Sequence, residues 1–278
     1  MIDLTDKNEI TKLSQLENDV GFVNHLQING VELAGNKTSE DLGLMSNANF
    51  LPDGYTINLK ADGTGDFETI QAAINFLNGK WSNGTVTIYL NAGIYNVSAP
   101  VKIGNWAAIG RKIPCILIKG KAMSDTIINN TSTSQYTACM RIYNGSTIIQ
   151  NLTIKNATKS STNYSIKIEE QSRVYLDQVK LQNGEFGCHV TRVNDAVQLN
   201  NCTIDNTTYA VYAGEGGTIN LFNSTITVTN STTALRVWSG GQINIGYATK
   251  NFTNVTNETN QRIGTVSADG MILGQWQN

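Results

Sequence analysis

The sequence predicts an all-β fold, a right-handed parallel β-helix with an N-terminal capping helix and a short helical N-terminal attachment segment. Three observations predict it. A short apolar and polar pattern recurs along the chain. The composition is rich in Asn, Thr and Ile, with 25 Gly against 3 Pro, which suits many short strands joined by tight polar turns. An amphipathic segment stands ahead of the repeats, where the open end of such a fold must be covered.

Repetition carries the argument. The segments Ile149-Gln150-Asn151-Leu152-Thr153-Ile154, Leu176-Asp177-Gln178-Val179-Lys180-Leu181, Leu199-Asn200-Asn201-Cys202-Thr203-Ile204 and Leu221-Phe222-Asn223-Ser224-Thr225-Ile226 share one template. An apolar residue precedes two turn residues, then an inward small or apolar residue, an outward polar one and an apolar one. Their starts at 149, 176, 199 and 221 lie 27, 23 and 22 residues apart, and Ile245 follows after 24. That period, built of strands without helix, is what stacked rungs need to bury their inward residues on one another. Leu90 and Ile118 are read as the starts of earlier rungs.

The chain divides into residues 1–50, 51–260 and 261–278. In the first part Asp6 and Glu9 have capping-box spacing, and Ile10, Leu13, Leu16 and Val20 follow at helical intervals. This short helix with a narrow apolar stripe needs a partner. Asn29-Gly30 reads as a tight turn, and Thr38–Asp41 as a cap for one further helical turn. The second part opens with a strand over Tyr55–Lys60. A helix is expected over Phe67–Leu77, with Asp66 as its N-cap and Ile70, Ala73, Ile74 and Leu77 on one face. The last part reads as a hairpin or cap closing the final rung.

Several functions are excluded or disfavoured. Charged residues make up 15% of the chain and the formal net charge is -2, which argues against nucleic-acid or membrane-surface binding. Cys115, Cys139, Cys188 and Cys202 have no CxxC spacing and His is scarce, so no metal is expected; the cysteines read as buried free thiols. The start MIDLTDKNEI is expected to carry no classical signal peptide, and the many Asn-x-Ser/Thr triplets read as products of the turn code. The Gly-rich stretches lack the strand-to-helix setting of a phosphate loop, so no cofactor is expected.

Two resemblances extend this reading. Ala61-Asp62-Gly63-Thr64-Gly65-Asp66-Phe67-Glu68-Thr69-Ile70-Gln71-Ala72-Ala73-Ile74, continued by Val86–Tyr95, resembles the opening of the pectin methylesterases and the wider pectate-lyase-like superfamily, loosely to about residue 230. It implies the fold. The esterases carry a Gln, two Asp and an Arg in motifs of the type QAV, GxQDTLY and DFIFG. The matching stretches here read Asn163–Ile166, Gln182–Cys188 and Thr207–Tyr212, without either Asp, so the resemblance does not imply esterase chemistry. Ile28–Leu44, with its Asn-Gly, Leu33, Gly35, Thr38 and Asp41-Leu42-Gly43-Leu44, resembles a segment of tail-fibre and baseplate proteins of phages and prophages. That resemblance implies a tail appendage in the virion, a homotrimer attached through its N-terminal segment, with receptor binding in the distal domain.

Candidate functional positions come from aligning rungs. The carboxylates Glu169, Glu170, Asp177, Glu185, Asp195, Asp205 and Glu215 form no column suited to two-carboxylate hydrolysis. Asp177 aligns with Gln150, Asn200 and Phe222; Asp205 aligns with Lys155 and Gln182. No residue is therefore assigned as catalytic. Ile166-Lys167-Ile168, Cys188-His189-Val190, Val211-Tyr212-Ala213 and Leu235-Arg236-Val237 place Lys167, His189, Tyr212 and Arg236 outward in register. Trp238, Tyr164 and Tyr209 lie nearby. Aromatic faces with cationic donors suit a bacterial surface polysaccharide, although Tyr and Arg are also enriched at subunit interfaces. The expected function is non-catalytic adhesion to a glycan receptor. The alternative is a polysaccharide depolymerase of the same fold.

Overall fold

The computed structural model describes residues 27–28, 31–32, 49–104, 113–132, 134–135, 137–157, 163–193, 197–260, 263, 266–267 and 269–277. The chain forms two compact units, Met1–Phe50 and Leu51–Asn278. In the first, Gln27–Ile28 and Val31–Glu32 pair antiparallel with Ile28 opposite Val31. That is the spacing of a two-residue hairpin loop. The expected helix over residues 6–20 and the cap at Thr38–Asp41 lie outside the described residues.

The second unit is a parallel β-helix with three sheets. The first sheet stacks Thr56–Leu59, Thr85–Leu90, Cys115–Gly120 and the starts of the long strands Ser146–Asn156 and Arg173–Thr191. It continues through Val197–Asn200, Thr218–Asn220, Gly241–Asn244 and Gly270–Leu273. The second sheet runs from Gly93–Val97 to Thr249–Thr253. The third runs from Val101–Gly104 through Ala138–Tyr143, Tyr164–Glu169 and later strands to Asn257–Thr259.

The repeat template sets the register. Ile118, Ile149, Leu176 and Leu199 stand opposite one another, and these four, with Leu221 and Ile245, are fully buried. One earlier rung is corrected by two residues. Ile88, not Leu90, faces Ile118, and Leu90 faces Gly120. The apolar residues of Thr85–Leu90 alternate, so two registers satisfy the pattern and the turn decides between them.

The turn residues explain the composition. Asn151, Gln178, Asn201, Asn223 and Tyr247 occupy the same corner of successive rungs, each with left-handed backbone, φ between 49 and 56°. Asn183, Asn206, Asn230 and Asn254 do the same at a second corner. Asn tolerates this region better than other residues with a side chain. The amides also link rungs: Asn206 Nδ2 donates to Asn183 Oδ1 at 2.8 Å, and Asn254 Nδ2 to Asn230 Oδ1 at 3.0 Å.

The helix is shorter than expected. It spans Ile70–Phe76, and Thr69 is its N-cap, its hydroxyl accepting from Ala72 N at 3.0 Å. Asp66 is diverted: its carboxylate accepts from Asn58 N at 2.6 Å, tying the loop to the first strand. Ile70, Ala73, Ile74 and Leu77 are buried as predicted. Gln71 fixes the helix to the third sheet by accepting from Lys102 N at 2.8 Å.

Candidate functional site

The third sheet carries the predicted column. Lys167 stands opposite His189, His189 opposite Tyr212, and Tyr212 opposite Arg236. The same column continues backwards to Arg141 and Lys102. Three residues earlier on each strand a second column runs Tyr164, Phe186, Tyr209 and Thr233. Rungs are about 4.8 Å apart, so large side chains in neighbouring columns must touch. Tyr164 and Phe186 stack with centroids 5.0 Å apart and planes at 12°, and Phe186 lies 5.3 Å from Tyr209.

That second column changes the state of His189. Its ring lies 4.9 Å from Tyr164, 4.8 Å from Phe186 and 4.7 Å from Tyr212. The side chain is turned away from the core and is nonetheless only 8% exposed, and Tyr212 is 7% exposed. The expected row of accessible donors is therefore sealed at its centre. Burial, with the Lys167 charge, pushes the imidazole pKa down to about 3. His189 is thus neutral near pH 7, and its Nδ1 is buried without a hydrogen-bond partner. It serves as an aromatic filler rather than a cationic donor.

The column is open at its Arg236 end. The guanidinium lies 4.1 Å from the Tyr209 ring centre and 5.7 Å from that of Tyr212. Arg236 and Tyr209 line an open groove of about 430 Å³ with Thr232, Thr233, Asn257 and Thr259. Its walls are hydroxyls and amides, with no carboxylate among the lining residues. Trp238 stands opposite Gly214, beyond the column, and is 45% exposed.

At the other end, Lys167 and Arg141 are engaged by Glu169. Its carboxylate is buried and ion-paired to Arg141 Nε, to Lys167 Nζ at 2.9 Å and to Arg192 at 3.7 Å. Burial alone would raise its pKa. The hydrogen bonds and charges of Lys167 and Arg141 outweigh that and hold it below the ordinary carboxylate value. Arg192 also reaches Glu215 at 3.4 Å. Lys167 additionally lies 5.3 Å over the Tyr164 ring. Glu185, one residue before Phe186, is among the described residues the carboxyl that burial shifts upward, against the pull of Arg236.

The remaining carboxylates behave as turn and ladder groups. Asp177 stands in register with Gln150 and Asn200 as expected, and accepts from Asn200 Nδ2 at 2.7 Å. Asp205 faces Gln182 and accepts from Thr229 at 2.8 Å and Asn230 at 3.0 Å. Glu170 accepts from Asn144 at 2.6 Å. Asp195 lies outside the described residues. The four cysteines are free; Cys139, Cys188 and Cys202 are buried and Cys115 is half-buried.

Phe186, Arg141 and the anchoring role of Glu169 were missed from sequence. Phe186 was legible, because the alignment that found His189, moved three residues back, places Phe186 between Tyr164 and Tyr209. Arg141 was hidden by the irregular rung before Lys167.

No family model and no curated protein matches the chain. Among solved structures, it is similar to a pectin methylesterase from Erwinia chrysanthemi, with 13% identity, 74% of this chain and 80% of that chain covered and a TM-score of 0.43. It is also similar to a pectin methylesterase from carrot, with 15% identity, coverages of 79% and 88% and a TM-score of 0.49. At these identities the matches concern the course of the backbone alone.

Proposed function

We propose that the chain is a glycan-binding adhesin that acts without catalysis, its contact surface being the third sheet around Arg236, Tyr209, Tyr212 and Trp238. The observation that carries this reading is the guanidinium of Arg236 held 4.1 Å over the Tyr209 ring beside a groove of Thr and Asn side chains. Such a groove pairs an aromatic floor with hydroxyl, amide and guanidinium groups that hydrogen-bond to sugar hydroxyls or carboxylates. Lys167 and His189 leave the list of direct donors, the first engaged by Glu169 and the second buried and neutral. His189 instead packs against Tyr212, its ring 4.7 Å away.

The proposed setting is a phage or prophage tail, with the chain a homotrimer and residues 1–50 its attachment to the virion tail or baseplate. The likeness of Ile28–Leu44 to tail-fibre segments supports this, as does the division of the chain at Phe50 and Leu51. Light scattering tests the trimer: a monomeric mass would remove it.

A depolymerase is the second reading, favoured by Glu185. A carboxyl with a raised pKa is suited to donating a proton to a leaving group, and Glu185 lies within the field of Arg236. Incubation with capsule or teichoic acid separates the two readings. Binding without new reducing ends or unsaturated products is expected, and turnover abolished by Glu185→Gln would establish the second reading instead.

A further inference from the structure

The turn code of the first corner is broken in two adjacent rungs. Asn151, Gln178, Asn201 and Asn223 hold its left-handed position, and Tyr247 holds it next, with φ 55°. Among the described residues Tyr247 is the aromatic side chain in that region, which for a bulky residue is a strained choice. One position earlier, where Gln150, Asp177 and Asn200 stand, the next rung has Phe222. The two rings meet edge to face at 6.0 Å, and remain 42% and 55% exposed for Phe222 and Tyr247. Gly246 makes this possible, since a Cβ there would come within 2.9 Å of the Phe222 ring.

Beside Tyr247 lies a second groove of about 480 Å³, lined by Tyr247, Trp276, Gln275, Gln277, Gly274 and Ile263. It is large enough for a sugar residue. Its lining side chains are aromatic, aliphatic and amide, with no formal charge. Lys250 pairs with Glu258 at 2.7 Å, and both attend the Trp276 ring. A local rule broken twice, at a stability cost and toward solvent, marks a functional surface.

We infer that Phe222, Tyr247 and the Trp276 groove form a second binding site, for a neutral pyranose residue of a glycan. This rests on the reading of the chain as a glycan binder. The CH face of an uncharged sugar packs on the exposed rings, and its hydroxyls pair with the amides of Gln275 and Gln277. The site is on the first corner near the C-terminal rungs and does not share residues with the Arg236 groove.

The test uses the full chain and oligosaccharides of glucose, galactose and N-acetylglucosamine, with binding followed by titration calorimetry and saturation-transfer NMR. Tyr247→Asn restores the residue that three other rungs carry, so a folded variant is expected. Its affinity for the neutral oligosaccharide that binds the wild-type chain should fall at least tenfold, and that of Phe222→Asn likewise. The titrations are repeated with Arg236→Ala, which disables the third-sheet groove. Neutral-sugar binding lost with Tyr247→Asn in either background supports the inference. Binding untouched by Tyr247→Asn, or no binding of the panel by the wild-type chain, overturns it. A fall in oligomer mass on Tyr247→Asn also overturns it, because the patch then covers a second copy. If cell-surface polysaccharide binding is lost with Arg236→Ala alone, the adhesin reading stands while this inference fails.

Discussion

The guanidinium of Arg236 lies 4.1 Å above the ring centre of Tyr209, one rung earlier and three residues before its in-register partner Tyr212. The contact orders a flexible side chain at the mouth of the groove. Arg236→Ala should weaken glycan binding by about tenfold or more, equivalent to about 1.4 kcal/mol. Its effect on stability should be smaller, about 0.5–1 kcal/mol for a partly exposed cation–π contact. Arg236→Lys should fall between, since an ammonium lacks the planar fork. Titration calorimetry together with thermal denaturation separates the two effects.

His189 makes acid stability measurable. Its folded pKa of about 3 lies below the ordinary 6.5, so below about pH 6.5 the unfolded chain takes up a proton that the folded chain refuses. Stability therefore falls as pH drops from 6.5 toward 3, with a slope of up to about 1.4 kcal/mol per pH unit. Glu169, held below its ordinary 4.5, contributes stability that is present above that value and lost as pH falls through its folded pKa. The window from 4.5 to 6.5 is thus the place to see His189. In His189→Leu, urea denaturation across that window should show a flatter profile. Stability at pH 7 should not fall, because an unpartnered buried nitrogen is removed.

Glu169 is the counter-charge for Arg141, Lys167 and Arg192. Glu169→Gln leaves three cations close together without it. Loss of a fully buried partner costs about 3–5 kcal/mol, but Arg141 and Arg192 are 45% and 59% exposed. A destabilisation of about 2 kcal/mol is therefore expected after solvent screening. Raising the salt concentration should narrow the difference between variant and parent in denaturant melts.

The left-handed corner predicts opposite signs for two substitutions. Asn201→Ala, at φ 49°, should destabilise by about 1–2 kcal/mol, because a Cβ without a compensating amide is disfavoured there. Tyr247→Asn, at φ 55°, should instead raise the melting temperature, by about 1 kcal/mol or less of added stability. An unchanged or lowered melting temperature for Tyr247→Asn would argue that its ring contributes packing as well as surface.

The sequence by itself determined the rungs from Ile149 onward, their register and the polar chemistry of their corners. Ile149, Leu176 and Leu199 could be aligned because an inward residue must recur at each rung, and Asn151, Asn201 and Asn223 because a left-handed turn selects few side chains. The same regularity brought Lys167, His189, Tyr212 and Arg236 into one column. Only the tertiary structure decided which of these outward residues meet water. Burial on an outer face depends on side chains leaning across neighbouring columns, and alignment sees one column at a time. Phe186 and Tyr164 close over His189, Glu169 draws in Lys167, and Arg236 is left at the open end. The same cause set Asp66 against the first strand and gave the helix cap to Thr69, since the backbone donor that a side chain meets is decided by distance in space, not by spacing along the chain.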